Sequence, residues 1–314
     1  MNYDIIGDIH GCAKTLSALL EKLGYERNQG IHQHSKHKVI FLGDFIDRGK
    51  FQKEVIEIVR PMIQSGSALS VMGNHEFNAI AYHTYNESLG MHLREHSDKN
   101  YKQHATFLSE YEADKVAYDS VITWFKTLPL WLELDGINIV HACWDKNYIH
   151  KIKSEYDGSS VLSETMLINS SNPECWEYDA IETLLKGKEI PLPSGMSFKD
   201  KDKNTRHHIR VRWWDQSATN YKDAFMGPED ALTHIPDDEI EGDHLVEYDH
   251  NDPPVFLGHY WMQGKPLPLA NNIACLDYSV AKAGKLVAYR WSGEQKINPD
   301  NYVFVDRIEP PDKE

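Results

Sequence analysis

Val39-Ile-Phe-Leu-Gly-Asp-Phe-Ile-Asp-Arg-Gly49 is the stretch that decides the fold. Val39 to Leu42 form an apolar run of strand length that ends on Gly43-Asp44, and Val55, Ile56, Ile58, Val59, Met62 and Ile63 then recur with helical spacing. Pro61 and Gly66 are expected to close that helix. The pattern repeats on both sides. Tyr3 to Gly7 runs into Asp8 and is followed by a helical period over Ala13–Leu23, and Leu69–Met72 runs into Gly73-Asn74. Three such strands, about 30 residues apart, have the spacing of right-handed βαβ crossovers onto a parallel sheet. Asp8, Asp44 and Asn74 are therefore expected together at the carboxyl edge of that sheet, where open α/β folds bind ligands.

Beyond this core, residues 79–127 turn helical and polar, with Phe107, Leu108, Tyr111, Val116, Val121, Ile122 and Trp124 as candidate core of an inserted cap. Leu130–His141 alternates around Asp135-Gly136, which predicts a hairpin with a type I′ turn and the start of a second, antiparallel sheet. Residues 145–252 read as a long insertion, its mixed-charge run Lys199–Asn204 as solvated loop. Val255–His259, Ile273–Tyr278 and Lys285–Trp291 are strand-like again. One catalytic domain over 1–314, with insertions at about 79–127 and 145–252, is expected.

The chain has 314 residues, 41% hydrophobic and 26% charged, enough for a sizeable core. A mean hydropathy of -0.55, without any apolar run near the roughly 20 residues of a membrane span, excludes a transmembrane reading. With 33 basic against 48 acidic residues, net -15, its field repels polyanions, and stable nucleic-acid binding is not expected. A phosphate substrate would have to find its positive charge in a few arginines or bound metal. No secretory leader is visible in the first residues and no C-x-x-C pair occurs, so a cytoplasmic protein with reduced thiols is expected. His32, His34 and His37 read as solvated loop histidines. Cys12 and Cys143 neighbour the ligand motifs, which raises redox control as a minor hypothesis.

Asp8, His10, Asp44, Asn74, His141 and His259 each fall at or just past a strand end, giving two carboxylates, three imidazoles and one amide. That mixture suits divalent manganese, iron or zinc better than magnesium alone. One catalytic ion needs about three protein ligands, so two ions sharing Asp44 is the economical reading. Ions about 3.5–4 Å apart clamp the attacking and leaving oxygens of an in-line displacement at phosphorus.

Gly7-Asp-Ile-His-Gly11, Gly43–Gly49, Gly73-Asn-His-Glu76, Val140-His-Ala142 and Gly258-His259 resemble, in order and spacing, the calcineurin-like metallophosphoesterases. More narrowly they are similar to the phosphoprotein phosphatase branch, which includes symmetrical diadenosine tetraphosphatases and bacterial relatives. The resemblance implies a four-layer α/β/β/α sandwich with helical cap insertions. It also implies that Asp8 and His10 hold the first ion, that Asp44 bridges, and that Asn74, His141 and His259 hold the second. A hydroxide bridging both ions would attack phosphorus, with His75 as general acid and Asp47 accepting its other N–H. Arg48 would take two phosphate oxygens, with Asn74 and a further arginine also on the substrate. Arg212 is the first candidate for that arginine and Arg210 the second. Glu76 is expected to support the ligand loops.

Substrate choice stays open at this level. A phosphomonoesterase acting on phosphorylated protein or peptide leads, and diadenosine tetraphosphate hydrolysis is the alternative, because His141-Ala142 departs from the His-Gly-Gly of the protein phosphatases. A catalytically silent metal-binding scaffold is the reading from another class. Trp213, Trp214, Tyr260 and Trp261 are expected chiefly in the core, with a nucleobase or peptide contact as the second possibility.

Overall fold

The computed structural model describes residues 2–199, 205–227, 229–240 and 246–310. Strands β1 (Asn2–Ile6), β2 (His37–Phe41) and β3 (Ala68–Ser70) lie parallel, with Ile6 opposite Phe41 and Phe41 opposite Ser70. Helices α1 (Ala13–Lys22) and α2 (Gln52–Gln64) make the two crossovers. The chain then enters a second sheet through β4 (Trp131–Leu134), β5 (Ile137–Val140), β6 (Val255–Leu257) and β7 (Ile273–Cys275). It returns to the first through β8 (Asp277–Tyr278), β9 (Lys285–Trp291) and β10 (Tyr302–Asp306), so the first sheet runs β8-β9-β1-β2-β3 with β10 also on β9.

Strand alternation sorts the side chains into layers. Ile5, Ile40, Leu42 and Val71 of the first sheet meet Ile137, Ile139, Phe256 and Ala274 of the second in one apolar core between them. The intervening Ile6, Val39 and Phe41 join the core that holds Leu16 and Leu20 of α1 and Val55 and Val59 of α2, as Val140, Val255 and Leu257 do with Ile181 and Leu184 of the helix Trp176–Lys186. This is a four-layer α/β/β/α arrangement. A one-residue slip of β1 would exchange Ile5 for Asp4 in the inter-sheet core, so the register is specified strongly.

Helix α3 (Asn74–His83) follows β3 directly, and α4 (Asp98–Tyr111) and α5 (Lys115–Phe125) form the helical segment before β4. Between β5 and β6 come α6 (Lys146–Glu155), α7 (Glu164–Asn169) and α8 (Trp176–Lys186). Four sequence expectations are corrected. The β4–β5 turn is not type I′, because Gly136 alone takes positive φ (85°) and Asp135 does not. Only that hairpin of the second sheet is antiparallel, since β6 pairs parallel to both β5 and β7. The run Ile273–Tyr278 splits between the two sheets on either side of Leu276. Pro61 lies inside α2, and the Ser65 N–H closes the helix on its carbonyl. Lys199 and Thr205 pair in a hairpin, while residues 200–204 of the charge run lie outside the described residues.

Candidate metal centre

Each ligand candidate is presented by the turn that leaves a strand, and the backbone there is unusual. His10, Asp44, Asp47, Arg48, His259 and Trp261 all take positive φ, between 46° and 70°. Left-handed backbone costs a non-glycine residue on the order of 1 kcal/mol, and six such residues, four beyond the first sheet and two beyond the second, store strain where the loops converge. Glycine is needed beside them: a Cβ on Gly43 would lie 2.3 Å from the Gly73 nitrogen, and one on Gly258 would lie 2.0 Å from Asp8 Oδ1.

Asp44 is the centre of the cluster. Its Oδ2 lies 3.6 Å from His10 Nε2, 3.5 Å from His141 Nε2 and 3.9 Å from His75 Nε2, and its Oδ1 accepts the His75 backbone N–H at 3.0 Å. Asn74 Oδ1 lies 3.2 Å from His141 Nε2 and 2.9 Å from His259 Nδ1. His10 and His141 use Nδ1 to donate to the carbonyls of Ile46 (3.0 Å) and Leu42 (2.6 Å), which turns each Nε2 toward Asp44. Two groups of buried donors result, His10 with Asp44 and His75, and Asp44 with His141 and His259, each with its ligand atoms within 4.8 Å of one another.

These residues fit a pair of cations. His10 Nε2 and His259 Nε2 are buried without a hydrogen-bond partner. Burial holds both imidazoles below their ordinary pKa, His10 to about 3, so each offers a lone pair. Burial pushes the Asp8 carboxyl well up, with Asp277 and Asp44 adding repulsion. His141, against the pull of burial, is lifted to about 10 by Asp44. The cluster thus demands positive charge.

Around this centre the supporting groups are placed by longer reach. Asp47 accepts from His75 Nδ1 at 2.6 Å and from His104 Nδ1 at 2.8 Å. Burial alone would raise the Asp47 pKa, but the two bonds, from His104 and then His75, hold it well below the usual range, and Asp44 and Asp47 in turn raise His75 against its own burial. Glu76 accepts three backbone N–H groups, from Asp44 (2.8 Å), Phe45 (2.8 Å) and Gly73 (3.0 Å), and so ties two ligand loops together. Asp277 does the same for a third, accepting from Trp261 (2.8 Å) and Ser279 (2.9 Å). The Arg48 guanidinium sits 4.1 Å from the centre of the Trp261 ring, and Lys282 Nζ 3.9 Å from the same ring.

Several expectations change. Asp8 belongs to neither donor group, because both its oxygens turn to the His259 N–H (3.3 and 3.1 Å). Arg212 is exposed, whereas the half-buried Arg210 is the arginine whose charge acts on His259. Cys12 and Cys143 are fully buried, and burial pushes the Cys143 thiol well up, which is the environment of an inert cysteine and not of a redox sensor. His32 is buried, His34 accepts the backbone N–H groups of Lys36 and His37, and His37 lies 3.5 Å from Asp4, so none is simply solvated. Trp213, Trp214 and Tyr260 are core, as expected, with Trp213 donating to the Tyr260 hydroxyl at 3.1 Å, while the Trp261 ring lies 6.4 Å from that of His10. His104, Asp277 and the role of Arg210 on His259 have no local motif.

The profile of the calcineurin-like phosphoesterases matches residues 1–261. The asymmetrical bis(5'-nucleosyl)-tetraphosphatase PrpE of Oceanobacillus iheyensis is 33% identical over 143 residues, covering 45% of this chain and 55% of that protein. Its Bacillus subtilis counterpart is 45% identical over 76 residues, 24% and 31% of the two chains. The chain thus spans about half the length, or less, of the curated relatives it matches. A protein serine/threonine phosphatase from Saccharomyces cerevisiae superposes with a TM-score of 0.52 at 15% identity, over 99% of this chain and 82% of that one, a likeness of fold.

Proposed function

We infer what the site does from the premise that the chain belongs to the calcineurin-like phosphoesterase family. The reading best supported is hydrolysis of a phosphoester at a two-ion centre, with a phosphomonoester on a protein or peptide as substrate. One observation carries it: two buried donor groups share Asp44, and the third member of the group with His10, His75, is braced by Asp47.

His10, Asp44 and a re-aimed Asp8 would hold one divalent ion, and Asp44, Asn74, His141 and His259 the other, with manganese the first candidate and iron or zinc the alternatives. Such ions, when bound, polarise a phosphoryl oxygen and bring the pKa of water toward neutrality. The chain's own residues do the rest. Arg48, its guanidinium 4.1 Å from the centre of the Trp261 ring, would take two phosphate oxygens, with Asn74 and Arg210 as the further substrate candidates. With Nδ1–H bonded to Asp47, His75 has a proton at Nε2 for the leaving oxygen as the imidazolium, the form that Asp44 and Asp47 favour against burial. The chain would act as one catalytic unit over 1–314, with residues 79–127 and 145–252 as insertions around the site. A cytoplasmic setting is part of this proposal; among the described residues no helix is long and apolar enough to cross a membrane.

A second reading, cleavage of dinucleoside polyphosphates, is favoured by the names of the PrpE relatives. The two are separated by kcat/KM of the manganese-loaded protein on a phosphothreonine peptide and on diadenosine tetraphosphate. A ratio beyond about a hundredfold, about 2.7 kcal/mol of transition-state discrimination, names the substrate class. A protein that takes up two equivalents of manganese and cleaves neither compound is a metal-binding scaffold, and the hydrolase reading is then wrong.

A further inference from the structure

We propose that His104 is a positioning residue for His75, through which helix α4 sets the aim of the leaving-group acid. The proposal rests on the phosphoesterase reading above for its kinetic consequence, but not for its geometry. Asp47 holds His75 with one carboxylate oxygen, at 2.6 Å from Nδ1, and His104 holds the other, at 2.8 Å from its own Nδ1. A carboxylate bound on one side alone can swivel, since the last torsion of aspartate is broad. Bonds on both oxygens remove that freedom, and with it the freedom of the His75 ring.

His104 can act this way because it is itself fixed. It is buried, with its ring 4.9 Å from Phe107 and 5.6 Å from Tyr82. Helix α4 is anchored to the acid-bearing helix α3 by Arg94, whose guanidinium donates to Asn78 on α3 and to Asn100 (3.0 Å) and Gln103 (2.9 Å) on α4. It also grips the loop from the other end. Glu110, on the same helix, accepts the Gln52 and Lys53 N–H groups at 3.0 and 2.7 Å, and the Gln52 side chain accepts the Asp47 N–H at 2.8 Å. Thus α4 holds Asp47 by side chain and, through Gln52, by backbone. Apart from His75 itself, which shares a donor group with His10 and Asp44, none of these residues belongs to either donor group, so the device can be altered without removing a donor atom.

The test uses His104→Ala and His104→Asn, the latter because its side-chain amide reaches about as far as Nδ1 and can donate to Asp47. On phenyl phosphate, whose leaving oxygen needs a proton, His104→Ala should lower kcat/KM by about a hundredfold, against less than about threefold on para-nitrophenyl phosphate. His104→Asn should recover most of the loss, with manganese content equal in all three proteins. Equal losses on both esters, or Asn no better than Ala, overturn the proposal. A second readout needs no turnover: the proton of the short His75–Asp47 bond should give a downfield 1H resonance that broadens or moves in His104→Ala and returns in His104→Asn. An unmoved resonance in His104→Ala overturns it as well. If the wild-type protein cleaves neither ester, the phosphoesterase reading falls while this resonance still decides the positioning role.

Discussion

Asp44 is the one side chain in both donor groups, so Asp44→Asn should cut manganese uptake from about two equivalents to less than one and remove turnover, as read by metal analysis and an aryl phosphate assay. His75→Asn should do the opposite. Its metal content stays at the wild-type level while kcat on phenyl phosphate falls by about 10²–10⁴, and loss of both ions in this variant would contradict the division of roles. Glu76 carries a third kind of weight, because three backbone N–H groups end on one carboxylate. Glu76→Gln replaces one acceptor oxygen by a donor and should cost about 1–3 kcal/mol in urea unfolding. At this scale the sequence is legible wherever a ligand-type residue follows a strand: Asp44, Asn74, His141 and His259 meet as the motif spacing implies. Asp277 and His104 are not legible, and Arg210 is legible only as a second candidate, because each acts on a partner brought near by tertiary folding; His104 lies 57 positions from Asp47. Asp8 is legible in place but not in aim, since nothing local says that its oxygens turn to the His259 N–H.

Helix α1 shows what an element borrows from afar. Cys12 at its N-cap makes no side-chain cap, and the Lys14 and Thr15 N–H groups instead reach Glu309 at 2.6 and 3.1 Å. Glu309→Ala should therefore lower stability by about 1–2 kcal/mol, visible as a lower thermal midpoint with unchanged metal content. A titrating example joins α6, α7 and α8: Glu177 accepts from Tyr156 Oη at 2.7 Å and Asn169 Nδ2 at 2.9 Å. Burial opposes ionisation there, but these bonds hold the folded pKa below the ordinary 4.5. A carboxylate depressed in this way contributes stability above its unfolded pKa and loses it as pH falls through the folded one. Glu177→Gln should then be less stable than wild type at neutral pH, with the gap closing below about pH 4 in urea midpoints. Elements with strong periodicity, β1, β2, α1 and α2, are readable from sequence; β10 and the short hairpins within 189–210 are not, because they pair at a distance and carry little apolar pattern.

For the molecule as a whole, buried carboxylates crowd one point, with Asp8 and Asp277 both pushed up by burial beside Asp44. Cations that bind only the folded chain should stabilise it by about 2.7 kcal/mol at a hundred times their dissociation constant. The thermal midpoint should climb with added manganese and drop with chelator, and a midpoint indifferent to both would show that the centre does not select cations. The layered sandwich is legible because strand alternation writes it into the sequence, whereas the grip of α4 on the Asp47 loop is written only in three dimensions.

The three helices that leave the ligand loops have a consequence for anions. Each begins beneath a carboxylate of the chain itself: Glu309 over α1, Glu110 over α2, and Glu76 with Asp44 over α3. The peptide dipoles that elsewhere cradle a phosphate are already occupied here. Stripped of its ions, the protein should be blind to inorganic phosphate and vanadate, and calorimetric titration should show anion affinity arriving only with the metal.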